Sequence, residues 1–336
     1  MDRRDFINTI APLAAAVGLS GINNISEQAR VPLFLKRGDT IGIITPGGYM
    51  SREELNPALN QLHAWGFKVK IGDAVGKKYN TFGGTDEERA ADLQQMLDDK
   101  EIKAILCARG GYGLVRIIDR INFSSFKKHP KWVLGFSDVT VLHAHIYRNF
   151  NIATIHSKMC NSFPDDPALA DAEQTATINS IRDALSGEQM QYSAMPSSFN
   201  RLGECKGYLI GGNLKILETL AGTKSDINTK GSILFIEDTN EYLYNIDRMM
   251  INLERTGKLK ELAGLLIGGF RVKPDDPGDE FNQPLEEIIL SKVSKYDYPV
   301  AFNFPVGHQK ANYALRCGMM HEMVVDGGGG KVVGIG

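Results

Sequence analysis

The sequence is poor in features that would decide a chemistry at once. Its four cysteines, Cys107, Cys160, Cys205 and Cys317, lie far apart and form no Cys-x-x-Cys pair, so metal-ligand spacing is absent. Free, buried thiols are the plain reading of such a set, and spacing alone leaves a disulfide open. Neither sign of charge is in excess: 38 Lys and Arg stand against 40 Asp and Glu, a formal net charge of −2. That balance gives no electrostatic reason for a nucleic-acid partner. Beyond the first two dozen residues no apolar run is long enough to cross a membrane. Neither Gly-x-Gly-x-x-Gly nor a Gly-Lys-Ser/Thr phosphate loop occurs, which weighs against a dinucleotide or nucleotide cradle. What remains is ordinary globular composition, 43% hydrophobic and 23% charged over 336 residues, enough for two domains.

The first residues differ from the rest. Arg3 and Arg4 precede Phe6 and Ile7, and an apolar run from Ile10 to Ile22 is broken only by small residues and Pro12. A basic start and a short apolar stretch are the layout of a secretion signal, and the paired arginines resemble a twin-arginine export signal. Residues 1–30 are therefore expected to be an export signal and leader, placing the protein in the periplasm with no stable membrane insertion after export. The alternative is an N-terminal helix packed on the domain, which would leave the protein cytoplasmic. The run lacks the polar face such a helix should show.

From Asp39 to about Ile155 strand-like and helix-like segments alternate. Thr40–Thr45, Phe67–Ile71, Ala104–Ala108, Trp132–Leu134 and Ile152–Ile155 read as strands. Ser51 with Glu54, and Thr85 with Glu88, are capping-box pairs ahead of helices. This alternation argues for an α/β fold, a parallel sheet covered on both faces, over residues 31–165. A helix from Ala168 to Leu185 and a polar stretch from Ser186 to Ser198 suit a linker over 166–200. A second domain, 201–336, has strand-like Ser232–Ile236, Ala263–Gly268 and Pro299–Phe304. A closing hairpin flanks Asp326 to Gly330.

Between the strand ending at Gly135 and the helix from Val139 to Phe150 stands only Phe136-Ser137-Asp138. A serine on so sharp a strand-to-helix turn is lifted above the sheet, the geometry of a nucleophile elbow. The Asp138 N–H and the helix dipole would favour a developing oxyanion there. Taken alone, Gly-x-Ser-x-Val, short of the full Gly-x-Ser-x-Gly, fits a helix-capping serine better than a nucleophile. Arg109-Gly110-Gly111-Tyr112-Gly113 follows a strand and lets backbone approach a ligand, or merely turns. Glu237 and Asp238 end the strand Ser232–Ile236, and His308 follows another strand end; both sit where α/β folds bind ligands. His143 and His145 are two apart on a helix and face different ways, so they share no metal.

Gly83-Gly84-Thr85-Asp86-Glu87-Glu88-Arg89-Ala90-Ala91-Asp92-Leu93, Ala108 to Gly113 and Gly135 to Asp138 strongly resemble the LD-carboxypeptidases. Gly211-Gly212-Asn213-Leu214, Phe235-Ile236-Glu237-Asp238, Tyr244 to Met249 and Gly307-His308 follow in the same order. The resemblance runs from about Leu33 to the C-terminus. It implies a Rossmann-like N-terminal parallel domain plus a smaller β-rich C-terminal α/β domain, dimeric, needing no metal or organic cofactor. It also implies a hydrolase with Ser137 as nucleophile, His308 as general base and Glu237 as its orienter. The N–H groups of Gly111 and Asp138 would form the oxyanion hole. Arg109, Tyr112 and Asn213 are the candidate substrate contacts; Arg109 fits a terminal carboxylate and an ordinary structural salt bridge equally.

Two places depart from the family pattern. His156-Ser157-Lys158-Met159 stands where His-Gly-Pro-Met is common, and Leu315-Arg316-Cys317-Gly318 replaces Leu-Pro-Leu-Gly. Both are expected near the substrate entrance. The activity implied is removal of a C-terminal D-alanine from peptidoglycan tetrapeptides. A peptidase of the microcin C-cleaving kind, acting on peptidyl-nucleotides, and a non-catalytic ligand-binding protein are the alternatives.

Overall fold

The computed structural model describes residues 29–335; the expected export signal lies outside them except for Ala29 and Arg30. Strands β1 (Thr40–Ile44), β2 (Lys68–Ile71), β3 (Ile102–Cys107), β4 (Trp132–Gly135) and β5 (Thr154–His156) run parallel in the order β5-β4-β3-β1-β2. β3 and β4 are buried almost throughout, as a parallel sheet under two helical layers requires. Both capping boxes form. Ser51 and Glu54 exchange bonds of 2.7 and 3.3 Å, and Thr85 and Glu88 exchange bonds of 2.9 and 3.2 Å.

The second sheet is built from β6 (Gln191–Ala194), β7 (Gly203–Asn213), β8 (Ser232–Glu241), β9 (Gly264–Val272) and β10 (Val300–Ala301), with a later hairpin. Before that hairpin, β11 (Leu315–Cys317) leaves for the first sheet and pairs antiparallel with β5. β12 (Met320–Asp326) and β13 (Gly329–Gly334) then close the second sheet as the expected hairpin.

The structure revises the sequence expectations at several points. The segment read as a linker contains β6, which pairs with β13. Its alternation is concealed by polar outward residues, while Tyr192 and Ala194 point inward. The strand expected over Pro299–Phe304 shortens to Val300–Ala301, and Leu285–Val293, unread in the sequence, is a helix.

The two sheets share their apolar cores. Ile44 and Val133 of the first sheet and Leu234 and Ile267 of the second belong to one buried cluster. The helix Thr140–Phe150 docks on β7, where the Asn213 N–H donates to Thr140 Oγ1 at 3.1 Å. The helix that starts behind Ser137 is thereby fixed against the sheet that carries Glu237.

Candidate active site

Ser137 opens a single 3₁₀ turn, Ser137–Val139, between β4 and the helix Thr140–Phe150. Its φ is +62°, a left-handed conformation that costs an L-residue on the order of 1 kcal/mol. Buried neighbours hold it there. Phe136, Asp138 and Val139 are all inside, and Asp138 Oδ2 accepts the Leu114 N–H at 2.9 Å. Burial pushes the Asp138 carboxyl up to about 6, against the bond from Leu114 and the nearby Arg89 charge. The serine itself stays half-buried.

Gly110 covers the serine. A Cβ placed there would lie 3.1 Å from Ser137 Cβ and 3.3 Å from Oγ. The Gly110 carbonyl accepts the Gly48 N–H at 2.6 Å, which ties the two glycine loops together. Gly111 follows the glycine that covers the serine, and Asp138 follows the serine itself.

Glu237 was expected at a strand end, yet β8 continues to Glu241. The acid sits instead at a bulge: Ile236 pairs with Ile267 and Asp238 with Phe270, leaving Glu237 opposite Gly268 and Gly269. Such an irregularity re-aims a side chain without ending the strand. The carboxylate is fully buried, and its Oε2 lies 2.5 Å from His308 Nδ1, while among the described residues Oε1 has no hydrogen-bond partner. Nδ1–H donating to this carboxylate leaves Nε2 as the ring's acceptor, the tautomer a general base requires.

His308 stands where the chain crosses from β10 in the second sheet to β11 in the first. Its ring centroid is 4.9 Å from that of Phe136, the residue before Ser137. Among the described residues no hydrogen bond joins Ser137 Oγ to His308. The neighbouring Asp238 turns elsewhere. It accepts from Asn213 Nδ2 at 2.9 Å and from the Lys215 N–H at 2.9 Å, and burial pushes it up to about 6.

Of the expected substrate contacts, Arg109 and Tyr112 line one open cleft of about 420 Å³ with Gly48, Tyr49, Lys78 and Gly111. Asn213 does not join them. It is buried, and its two amide ends are committed to Asp238 and to the Ile216 N–H at the start of a helix. Arg316 is likewise withdrawn from any entrance: its guanidinium donates to the Ala184 and Asp183 carbonyls and lies over Phe34. Lys78 and Tyr49 belong to no motif, and only the fold brings them to the cleft. His143 bonds to the Gly135 carbonyl and His145 to Ser225 Oγ. The four cysteines are free, and among the described residues no three His, Cys, Asp or Glu are grouped as metal ligands.

The sequence profile of the LD-carboxypeptidase N-terminal domain matches residues 41–157, and that of the C-terminal domain matches residues 206–323. A Bacillus subtilis protein named "Probable murein peptide carboxypeptidase" is 36% identical, over 87% of this chain and 91% of its own. A Pseudomonas aeruginosa protein named "Murein tetrapeptide carboxypeptidase" is 28% identical, over 83% of this chain and 91% of its own. The crystal structure of a muramoyltetrapeptide carboxypeptidase from Oxalobacter formigenes superposes with a TM-score of 0.78 at 27% identity, covering 88% of this chain and 98% of that one. An MccF-like protein from Bacillus anthracis also gives 0.78, at 23% identity over 91% and 99% of the two chains, and shares the fold. With both domain profiles matched in order around the serine, the glutamate and the histidine, the chain belongs to the LD-carboxypeptidase family.

Proposed function

We propose that this protein is a serine-type carboxypeptidase that hydrolyses the amide between an L-centre and a C-terminal D-amino acid. Its substrate is a murein tetrapeptide, which loses its terminal D-alanine. The observation that carries this reading is Ser137, left-handed and half-buried, directly after the Phe136 ring that packs on His308, whose Nδ1 is held 2.5 Å from Glu237. Relatives named for murein peptides supply the substrate class.

In this mechanism His308 Nε2 takes the Ser137 proton as Oγ attacks the amide carbonyl. The oxyanion is met by the N–H groups of Gly111 and Asp138. Collapse breaks the C–N bond, and His308 returns the proton to the departing D-alanine amine. Water, activated by the same ring, then releases the acyl group from Ser137. Mass spectrometry of tetrapeptide muropeptides incubated with purified protein tests the reading. Release of the terminal D-alanine alone is expected; internal cleavage or no release overturns it.

The reading extends to place and assembly. The protein is exported by a twin-arginine route, supported by Arg3-Arg4 and the apolar run to Ile22, and works as a homodimer, as the family resemblance implies. Replacing Arg3 and Arg4 by Lys should retain it in the cytoplasm, and sedimentation should give a mass twice that of the chain. The likeness to MccF extends to fold alone, so a peptidyl-nucleotide substrate gains no support from it.

A further inference from the structure

The run His156-Ser157-Lys158 leaves the carboxyl end of β5 at the point where the sequence departs from the family pattern. It grips the loop of His308 on both sides of the histidine. On one side Asn312 Oδ1 accepts the Gly307 N–H at 2.8 Å, and His156 Nε2 lies 3.1 Å from the same oxygen. The Gly307 N–H is a fixed donor, so the amide atom facing it is oxygen, and His156 must carry its proton on Nε2. Complete burial holds that imidazole well below its ordinary range and keeps it neutral.

On the other side Lys158 Nζ donates to the Gln309 carbonyl at 2.8 Å. Among the described residues this is the only hydrogen bond its ammonium makes. The ammonium also stands 5.6 Å from the centroid of the Phe136 ring, the ring that packs on His308. Burial lowers the Lys158 pKa, while the Glu237 carboxylate favours its charged form. A long, flexible cation is thus kept from full hydration and spent on one backbone carbonyl, beside the general base.

The triad's parts come from different sheets. Ser137 belongs to the first and Glu237 to the second, and His308 hangs on the crossing between them. Glu237 fixes the Nδ1 side of the ring, but no bond from Ser137 fixes the other. The distance from His308 to Ser137 is therefore set by how its loop is tied to the first sheet. We propose that Lys158 is a positioning residue: by holding the Gln309 carbonyl against the end of β5, it sets His308 at its working distance from Ser137. This rests on the Ser137–His308 reading above.

The test compares the full chain as wild type, Lys158→Met and Lys158→Arg. It reads three things: the rate at which a fluorophosphonate probe labels Ser137, the kcat and KM for D-alanine release, and the melting temperature. Lys158→Met should slow labelling and lower kcat by roughly 10- to 100-fold, the penalty of misplacing reacting groups by a fraction of an ångström to an ångström. KM should not move. Lys158→Arg, which can also donate to the carbonyl, should recover most of the rate. If Lys158→Met does not fold, Lys158→Leu, which likewise has no donor, is compared in the same way and should also label slowly. Labelling of the neutral variant at the wild-type rate, or a loss confined to KM, overturns the proposal. A wild type that is labelled but releases no D-alanine refutes only the substrate assignment, and the labelling rates still decide the role of Lys158. A wild type that the probe cannot label removes both the nucleophile and this role.

Discussion

Gly307 and Glu237 are packed so closely that a Cβ on the glycine would stand 2.4 Å from the glutamate Cβ and 2.8 Å from its Oε2. The glycine also has φ +102°, where an L side chain is strained. The residue before His308 must therefore be bare for Glu237 to reach the ring. Gly307→Ala should destabilise the fold by about 2 to 4 kcal/mol, by overpacking and backbone strain. Its folded fraction should also lose most of its turnover, because Glu237 is displaced. Glu237→Gln keeps the shape and removes the charge; kcat should fall by roughly 10⁴-fold with little change in circular dichroism. A Glu237→Gln protein with normal turnover per folded molecule would remove Glu237 from the reaction.

Ser137 combines a place at the strand-to-helix turn with an unfavourable backbone. Ser137→Ala should abolish probe labelling and lower kcat by up to ~10⁶-fold, as in other serine triads. Ser137→Gly should be equally inactive yet melt above Ser137→Ala, because glycine accepts φ +62° without the roughly 1 kcal/mol that a Cβ costs there. Equal melting temperatures for the two variants would mean that the turn is not strained.

Asp138 links the elbow to pH. Its carboxyl titrates at about 6 in the folded chain, raised by burial from 3.8. A raised pKa means that the folded state holds the proton more tightly. This contribution to stability is complete below pH ~4 and is lost as pH rises through ~6. Asp138→Asn, whose amide oxygen can still accept from Leu114, should therefore gain melting temperature relative to wild type between pH 4 and pH 6.5, then run parallel above. Taking the difference between the two proteins matters. Buried His143 and His321, lowered to about 4 by burial, work with the opposite sign over the same interval and cancel in the comparison. A constant difference from pH 4 to pH 7 would contradict the shifted carboxyl.

The parts of this arrangement legible in the sequence were those written locally. β1, β3, β4 and the elbow follow from apolar runs and short turns, and both capping boxes from residue pairs three apart. The bond between Glu237 and His308 is different, since it joins residues 71 apart in the chain. Only the ordered resemblance to a family foresaw it. β11 was unreadable because three residues that complete a sheet begun far earlier carry no period of their own. β6 was concealed by polar residues on its solvent face. Asn213 misled for a related reason: a motif asparagine next to the acids looks like a ligand contact, but its amide caps a helix and bonds Asp238.

The cleft beside Gly111 makes the last prediction. Arg109 is exposed there, and among the described residues its one side-chain bond is a long one of 3.4 Å to the Tyr49 carbonyl, so its guanidinium can take a new partner. Lys78, the other cation of the cleft, stands 5.1 Å from the Tyr49 ring centroid. A carboxypeptidase must distinguish a chain end from an internal residue, and a guanidinium facing the terminal carboxylate is the direct means. Arg109→Ala should then raise KM by roughly 10- to 100-fold, corresponding to a lost charge-assisted bond of about 1.5–3 kcal/mol. Its kcat should change little, because the carboxylate is bound alike in ground and transition states. The decisive comparison is a cycle with two substrates, a tetrapeptide with a free terminal carboxylate and its C-terminal amide. Wild type should prefer the acid strongly, whereas Arg109→Ala should treat the two almost alike, giving a coupling energy near the whole KM effect. If Arg109→Ala keeps the wild-type preference, the carboxylate is recognised elsewhere. Lys78→Ala is then the variant to run through the same cycle.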